Sequence, residues 1–330
     1  MKKIVAIGGG TGLSSLLRGL KKYPVKLTAI VAVTDEGGSS GRLRKELKII
    51  PPGDIRNCLV ALSEEESLMS RLFQYRFENG ARGSLKGHSF GNLFLAALAG
   101  ISGGFGKGVA QGARVLLIKG EVLPVTLSDV RLKARLENGD VVYGEKRISS
   151  MSRGEKISEI SLVGKNIKPN PLAVEAIKKA DCVVVGPGSL YTSIITNMLV
   201  PGIGKALKDS RALKVYVANI MTQPGETDGY TLSEHIKEIK RHTLCDFDAV
   251  IVDESPHDKK LLKRYASSGA FPVVNDLDAG SFHSLSTVRR SMKSSKSKPV
   301  IIRARLASSS HYARHDPDKL SRVLMRIITD

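Results

Sequence analysis

Tryptophan is absent from the sequence, aromatic residues make up only 5% of it, and cysteine occurs three times. The cysteines, Cys58, Cys182 and Cys245, are far apart and form no C-x-x-C pair, which argues against a disulfide framework and against a zinc site. No apolar run has the length of a membrane span. An apolar strand pattern begins within the first residues and leaves no room for a signal peptide. We therefore expect a protein of the reducing cytoplasm with no membrane span.

Acidic residues are also scarce, since 32 Asp and Glu stand against 51 Lys and Arg and give a formal net charge of +19. Such a balance favours anionic ligands, among them phosphates, nucleotides, nucleic acids and anionic membrane surfaces. Charge alone does not choose among these. The basic stretch Arg289–Lys298 has no interleaved aromatic residues on which bases could stack, so nucleic acid is not the favoured partner.

The chain opens with a strand, a glycine-rich turn and a helix, over Lys2–Leu20. An apolar run at Ile4–Ile7 predicts a buried parallel strand, and Gly8–Gly12 follows it. Glycines before a helix let backbone N–H groups approach a phosphate. The spacing fits neither common fingerprint, because Leu13 replaces the third glycine of G-x-G-x-x-G and no P-loop lysine follows. The stretch predicts a phosphate or nucleotide site, with a tight turn that holds no ligand as the alternative.

Two further glycine-rich turns follow predicted strands, at Gly37–Arg44 and at Gly186–Ser193. The first carries Arg42 and Arg44, whose forked guanidinium groups suit an anion. Asp35 ends the second strand, where an acid holds ribose hydroxyls in dinucleotide folds; it could equally hold a divalent cation or cap the loop.

Other polar residues lie at the starts of helices. Asp54 begins a helix after Pro51–Gly53, as a helix cap or as a site residue. Gly80–Asn92 is another glycine-rich stretch, and ligand contact fits it better than a nucleophile made of His88 and Ser89, since adjacent side chains seldom face each other.

The order of elements predicts an α/β fold: a Rossmann-like, mostly parallel sheet with helices on both faces, in one domain over residues 1–330. Residues 113–165 alternate like strands and include the turn pair Asn138-Gly139, so we expect a small antiparallel β insertion there, preceded by a flexible stretch at Gly103–Gly112. Residues 281–313 form a Ser/Lys/Arg-rich segment that we expect to be a basic surface insertion.

In such a sheet the three glycine-rich turns lie at the carboxyl edge and can meet at one ligand. Three turns are more than one phosphate needs. A diphosphate-linked ligand, such as a nucleotide sugar or a dinucleotide, fits better.

Seven segments together resemble the gluconeogenesis factor (YvcK) family of the CofD-like superfamily: GGGTG at Gly8–Gly12, TDEGGSSGRLR at Thr34–Arg44, PPGDIRNCL at Pro51–Leu59, GHSFGN at Gly87–Asn92, GPGSLYTSI at Gly186–Ile194, NIMTQPGETDGY at Asn219–Tyr230 and RHDP at Arg314–Pro317. The resemblance implies a cytoplasmic, UDP-sugar-binding regulator, with UDP-N-acetylglucosamine as the type ligand. It also implies a role in cell shape and cell-wall synthesis during growth on gluconeogenic carbon sources. No firm catalytic activity is implied, and a homodimer and contacts with cell-wall synthesis proteins are left open.

CofD itself is a magnesium-dependent transferase of a phospholactate group, and this sequence departs from it. Asp35-Glu36 stands where CofD has paired aspartates, which keeps a Mg²⁺ site on Asp35 and Asp54 open, and these two are the candidate catalytic residues. Gly87–Phe90 replaces a Gly-Asp-Arg-Asp stretch, which puts the acceptor chemistry of CofD in doubt. Pro317 occupies the place of a threonine that can be a kinase target in the family.

The resemblance adds Tyr265 and Arg314 as UDP-sugar contacts. The candidate ligand-binding residues are then Gly9, Gly10, Thr11, Gly12, Asp35, Ser39, Arg42, Arg44, Asn92, Gly188, Ser189, Asn197, Asn219, Tyr265 and Arg314. The alternatives to a UDP-sugar-binding regulator are a CofD-like magnesium-dependent transferase, a dinucleotide-dependent oxidoreductase, which Leu13 disfavours, and a nucleic-acid binder.

Overall fold

A seven-stranded parallel sheet forms the centre of the protein. The computed structural model describes residues 1–64, 68–77, 83–151, 154–277, 299–308 and 312–329. In chain order the strands are β1 (Lys3–Gly8), β2 (Lys26–Val31), β3 (Glu121–Pro124), β4 (Val130–Leu136), β5 (Val141–Tyr143), β6 (Ile157–Gly164), β7 (Cys182–Val185), β8 (Leu213–Val217), β9 (Ala249–Asp253) and β10 (Val300–Ala304). The central sheet has the order β10-β9-β8-β7-β1-β2-β3, and β5-β4-β6 form a separate sheet.

Helices flank this sheet. They are α1 (Gly10–Leu20), α2 (Gly38–Leu47), α3 (Gly53–Leu62), α4 (Leu68–Gln74), α5 (Phe90–Ile101), α6 (Phe105–Val115), α7 (Glu145–Met151), α8 (Pro171–Lys179), α9 (Thr196–Met198), α10 (Ile203–Asp209), α11 (Leu232–Thr243), α12 (Lys259–Ser267) and α13 (Pro317–Thr329). One group of helices consists of α1, α3 and α13, and another of α8, α10 and α11. A π-helical turn at Leu190–Ile195 precedes α9. The predicted α/β fold is confirmed.

The core is built on β1 and α1. All four apolar residues of β1, Ile4–Ile7, are buried, because helices cover a parallel sheet on both faces. The leucines of α1 that share one helix face are fully buried, namely Leu13, Leu16, Leu17 and Leu20. This packing fixes the start of α1, and with it the first glycine turn, against the end of β1.

The antiparallel insertion is smaller than the sequence predicts. Its sheet lies within residues 130–164, whereas β3 pairs in parallel with β2 in the central sheet. The predicted flexible stretch at Gly103–Gly112 is wrong, since α6 covers most of it. Gly108 and Gly112 let α6 approach α5: a Cβ on Gly108 would lie 2.6 Å from the backbone nitrogen of Ala99. The glycines serve helix packing there.

The hairpin prediction at Asn138-Gly139 is confirmed, and Gly139 has a φ of +91° between β4 and β5. Most of the predicted basic insertion, residues 281–298 and 309–311, lies outside the described residues.

Candidate functional site

The crevice at the centre of the carboxyl edge lies between β1 and β7. The chain runs outward from β1 to β2 and β3 on one side, and from β7 to β8, β9 and β10 on the other. Such a reversal of strand order opens a crevice beyond the strand ends, and ligands of open α/β sheets bind there. Two of the three glycine-rich turns follow these two strands, at Gly8–Gly12 and Gly186–Ser193.

A cleft of about 230 Å³ occupies this place, and we call it the α1 cleft. It is lined by Thr11, Gly12, Ser15, Pro187, Gly188, Ser189, Asn219, Ile220, Met221, Gln223, Ala313, Arg314 and His315. Six of the predicted ligand contacts therefore meet at one opening: Thr11, Gly12, Gly188, Ser189, Asn219 and Arg314. The opening combines the N-terminus of α1, hydroxyl groups and a guanidinium, which is the donor set that an oxyanion requires.

The two turns of the α1 cleft touch each other directly. A Cβ added to Gly12 would lie 2.4 Å from the carbonyl oxygen of Pro187, so only glycine fits there. The turn at Gly186–Ser193 is thus seated on the first turn of α1, and the two form one surface.

Asp54 lies beneath the same helix start. Its Oδ2 accepts a hydrogen bond from the backbone N–H of Gly10 at 2.8 Å. Burial, reinforced by the nearby charge of Asp35, raises the pKa of Asp54 to about 6. The cap alternative for Asp54 is wrong, because Pro52 is the N-cap of α3 and the carboxylate serves α1 instead.

Asp35 lies close enough to Asp54 for its charge to act on that carboxyl group. A Cβ on Gly53 would lie 2.4 Å from Asp35 Oδ2, and Asp35 Oδ1 accepts from the N–H of Gly37 at 2.8 Å. The half-buried Glu145 adds to this negative region, and burial and then the charges of Asp54 and Asp35 raise its pKa well above the usual range. In the described ranges no three His, Cys, Asp or Glu side chains converge on a metal-sized point. Two carboxylates suit Mg²⁺ when phosphate oxygens and water complete its shell.

The glycine-rich turn at Gly37–Arg44 does not line the α1 cleft, contrary to the prediction. Gly38 starts α2, and the helix carries both arginines away from the α1 cleft. Arg42 donates to the carbonyl oxygens of Ser84 and Lys86. Arg44 is buried and pairs with Asp129 at 2.6 Å and with Glu36 at 3.5 Å. Both arginines line a separate basic cleft of about 530 Å³ beside the small sheet, so the predicted convergence holds for two turns and fails for the third.

Ser39 and Asn92 belong to a buried network and line none of the clefts described above. Ser39 Oγ lies 2.9 Å from His88 Nδ1 and accepts a hydrogen bond from Asn92 Nδ2 at 3.1 Å. Burial lowers the pKa of His88. Ser89 caps α5 by accepting the N–H of Asn92. These residues join α2 to α5.

Asn197 and Tyr265 also act on the protein itself. The fully buried Asn197 donates to the carbonyl oxygens of Gly8 at 3.1 Å and Ser193 at 2.7 Å. These hydrogen bonds join the end of β1 to the turn at Gly186–Ser193. The hydroxyl of Tyr265 accepts the N–H of Ala313 at 3.1 Å and so holds the segment that carries Arg314. Gly9 and Gly10 are not among the residues that line the α1 cleft, and a Cβ on Gly9 would lie 2.8 Å from Asp54 Oδ2.

Sequence reasoning missed Glu226. This buried carboxylate accepts from the N–H groups of Tyr191 and Thr192, from the hydroxyls of Thr192 and Ser149, and from the amide of Gln223. Burial raises its pKa. A glutamate within QPGETDG reads as a surface loop residue, and only its position in an otherwise polar, proline- and glycine-containing motif marks it.

Sequence reasoning also missed His315, beside Arg314. Its carbonyl oxygen accepts from Ser15 Oγ at 3.2 Å, which anchors this segment to α1. Its imidazole is buried, and burial lowers its pKa to about 4. The ring is therefore neutral at physiological pH.

No helix in the described part of the chain is long and apolar enough to cross a membrane. The family model of the 2-phospho-L-lactate transferase CofD matches residues 4–292. The gluconeogenesis factor of Bacillus subtilis (strain 168) is 43% identical over 329 residues, 99% of this chain and 98% of that protein. The gluconeogenesis factor of Halalkalibacterium halodurans is 51% identical over 276 residues, 83% of this chain and 84% of that protein.

A crystal structure of a Bacillus halodurans protein superimposes with a TM-score of 0.88 at 45% identity, and the match covers 98% of this chain and 99% of that one. The resemblance seen in the seven sequence segments is confirmed over the whole fold. The chain belongs to the gluconeogenesis factor family of CofD-like proteins.

Proposed function

We propose that the protein binds a nucleotide sugar of the UDP-N-acetylglucosamine type at the α1 cleft. Through this binding it regulates cell-wall synthesis and cell shape during growth on gluconeogenic carbon sources, in the cytoplasm and in contact with cell-wall synthesis proteins. The observation that carries the proposal is the meeting of two glycine-rich turns and Arg314 at the central crevice of the sheet.

The chemistry of the α1 cleft supports a diphosphate. Thr11 and Gly12 present the first turn of α1, whose partial positive charge favours an anion. Gly188 and Ser189 bring a second turn to the same opening, and the exposed Arg314 also lines it. The cleft continues past Asn219 into a second cavity, which leaves room for the groups on either side of the phosphates.

A thermal-shift titration tests the proposal. We expect UDP-N-acetylglucosamine to raise the melting temperature more than UMP does, because a ligand that binds only the folded state stabilises it by mass action. Arg314→Gln should reduce this shift. Arg211→Gln is the matched control, since Arg211 is exposed and precedes β8 at the opposite edge of the sheet. Absence of a shift with every uridine diphosphate compound would contradict the proposal.

A magnesium-dependent transferase of a nucleotide-linked phospho group is the second candidate. Two observations favour it: the CofD family match and the closeness of Asp35 to Asp54. Mg²⁺ held by these carboxylates would neutralise charge on a phosphate that is transferred nearby. The test is metal-dependent turnover of a nucleotide-linked donor by the wild type, which Asp35→Asn should abolish. Turnover that survives this substitution contradicts the role of Asp35.

A further inference from the structure

A second cavity, of about 240 Å³, lies beside the α1 cleft at the ends of β8 and β9, and we call it the β8–β9 cavity. It shares Asn219 and Ile220 with the α1 cleft, so one ligand can extend from one to the other. Asp253, the last residue of β9, and His257 also line it.

The two oxygens of Asp253 have different surroundings. Oδ1 accepts four hydrogen bonds, from the N–H and hydroxyl of Ser255 and from the N–H groups of Leu306 and Ala307, at 2.6–3.2 Å. Oδ2 accepts no hydrogen bond from the described part of the chain, although only 2% of the side chain is exposed. His257 Nε2 lies 3.3 Å from Oδ2 without the alignment of a hydrogen bond.

Asn219 repeats this pattern just after β8, the neighbouring strand. Its Oδ1 is buried and has no hydrogen-bond partner among the residues that the structure describes. A buried acceptor without a partner costs about 1–3 kcal/mol, and native structures rarely keep one without a reason. Here two acceptors without a hydrogen bond belong to residues that line one cavity, and one of them is a carboxylate oxygen, which when ionised can only accept and which lies beside the ring of His257.

We infer that the β8–β9 cavity is a hydroxyl-recognition subsite, in which Asp253 Oδ2 and Asn219 Oδ1 accept hydrogen bonds from hydroxyl groups of a sugar. This inference rests on the proposed function, because the sugar is the one joined to the phosphates in the α1 cleft. The sugar hydroxyls come from the ribose or from the pyranose of the nucleotide sugar. Asp253 thereby has one of the roles that the sequence left open for Asp35, which follows β2.

The test compares affinities for UDP-N-acetylglucosamine by calorimetry. Asp253→Asn keeps an acceptor for the four donors at Oδ1 and replaces Oδ2 by an N–H₂ group. We expect a 10- to 100-fold loss of affinity, about the value of one hydrogen bond to a charged group. Asp246→Asn is the control, because it removes the charge of an exposed carboxylate that precedes β9, at the opposite end of the strand from Asp253, and it should leave the affinity unchanged.

Ligand analogues identify the sugar and keep the test valid if Asp253→Asn folds poorly. Wild-type protein is titrated with UDP, 2′-deoxy-UDP and 3′-deoxy-UDP, and with UDP-N-acetylglucosamine. Weaker binding of a deoxy analogue assigns the ribose to the cavity, and weaker binding of UDP than of the UDP-sugar assigns the pyranose. Asn219→Ala should reduce whichever difference is found.

The outcomes separate this inference from the proposed function. If the wild type binds no uridine diphosphate compound, the proposed function fails. If the wild type binds, but all four ligands bind equally or Asp253→Asn binds UDP-N-acetylglucosamine as tightly as the wild type, the subsite is overturned and the proposed function stands.

Discussion

The carboxylate of Asp54 accepts a hydrogen bond from the backbone N–H of Gly10, so an acid already occupies the first amide of the helix that the sequence marks as an anion site. A ligand phosphate must therefore use the amides further along, at Thr11 and Gly12. The arrangement costs stability, because the ionised carboxylate is buried close to Asp35.

Asp54→Asn should stabilise the protein at neutral pH. The pKa of Asp54 is raised to about 6 in the folded state, so stability is lost as the pH rises from 3.8 toward 6 and the cost is complete above that. Asn keeps an acceptor for Gly10 and removes the charge. We expect a gain of roughly 2–3 kcal/mol at pH 7.5 and a smaller gain at pH 5, measured by urea unfolding.

The control for this prediction is Asp209→Asn. Asp209 is exposed and pairs with Lys205 at 2.8 Å, so its loss should change the free energy of unfolding little, since exposed ion pairs contribute little to stability. Equal stability of Asp54→Asn and wild type at pH 7.5 would show that the buried charge carries no penalty.

The buried His315 should give the free energy of unfolding a pH dependence opposite in sign to that from Asp54. Its pKa is lowered to about 4 in the folded protein, so the neutral ring contributes stability that is present above pH 6.5 and is lost as the pH falls toward 4. The loss amounts to roughly 3 kcal/mol. His315→Gln should flatten the unfolding free energy across this window, whatever its effect at pH 7.5. An unchanged slope between pH 7 and pH 5 would contradict the burial of a neutral imidazole.

Gly12→Ala should separate the two turns of the α1 cleft. The new methyl group would meet the carbonyl oxygen of Pro187, which is backbone and has little freedom to move. We expect a loss of about 1–3 kcal/mol, as for other overpacked sites, together with loss of ligand binding. Gly100→Ala is the control, since no atom of the described residues lies within 4 Å of its Cβ position in α5, and it should be neutral or slightly stabilising. Full ligand affinity in Gly12→Ala would argue against contact between the turns as a requirement of the site.

Glu226→Ala should be among the most damaging single substitutions. It leaves two backbone N–H groups, two hydroxyls and an amide without their shared acceptor. The expected loss is about 3 kcal/mol or more, since each unpaired buried group costs about 1–3 kcal/mol. Glu159→Ala, at an exposed position on β6, should cost less than about 1 kcal/mol in the same chemical-unfolding experiment. Similar losses for the two variants would mean that the donors around Glu226 find water instead.

Local pattern was enough to predict most of the fold. The run Ile4–Ile7, the leucine face of α1 and the turn at Asn138-Gly139 each carry a signal within a few residues, and each is present as predicted. Glycine is the ambiguous case. Gly12 and Gly108 look alike in sequence, yet one lets two turns meet and the other lets two helices pack, and the difference depends on residues far along the chain.

The site was predicted less well for the same reason. Thr11 and Gly188 line one cleft because the strand order places them together at the carboxyl edge of the sheet, and the glycine-rich turns in the sequence indicate that edge. Arg44 carries the same charge as Arg314, but Asp129, 85 positions away, pairs with it and draws it to another face. The sequence likewise does not indicate that Glu226 and His315 are buried, because both lie in polar loop segments.

The carboxylate of Glu226 also joins the small sheet to the rest of the molecule. Ser149, which donates to it, belongs to α7 beside that sheet, and Gly225 comes so close that a Cβ would lie 2.3 Å from the Ser149 carbonyl oxygen. The small sheet, which the sequence predicts as an insertion, therefore supports the turn that presents Gly188 and Ser189. A shortened protein without residues 127–168 would lack the Ser149 contacts, and the turn at Gly186–Ser193 would be held less firmly. A partner that displaces the small sheet would act on the same turn.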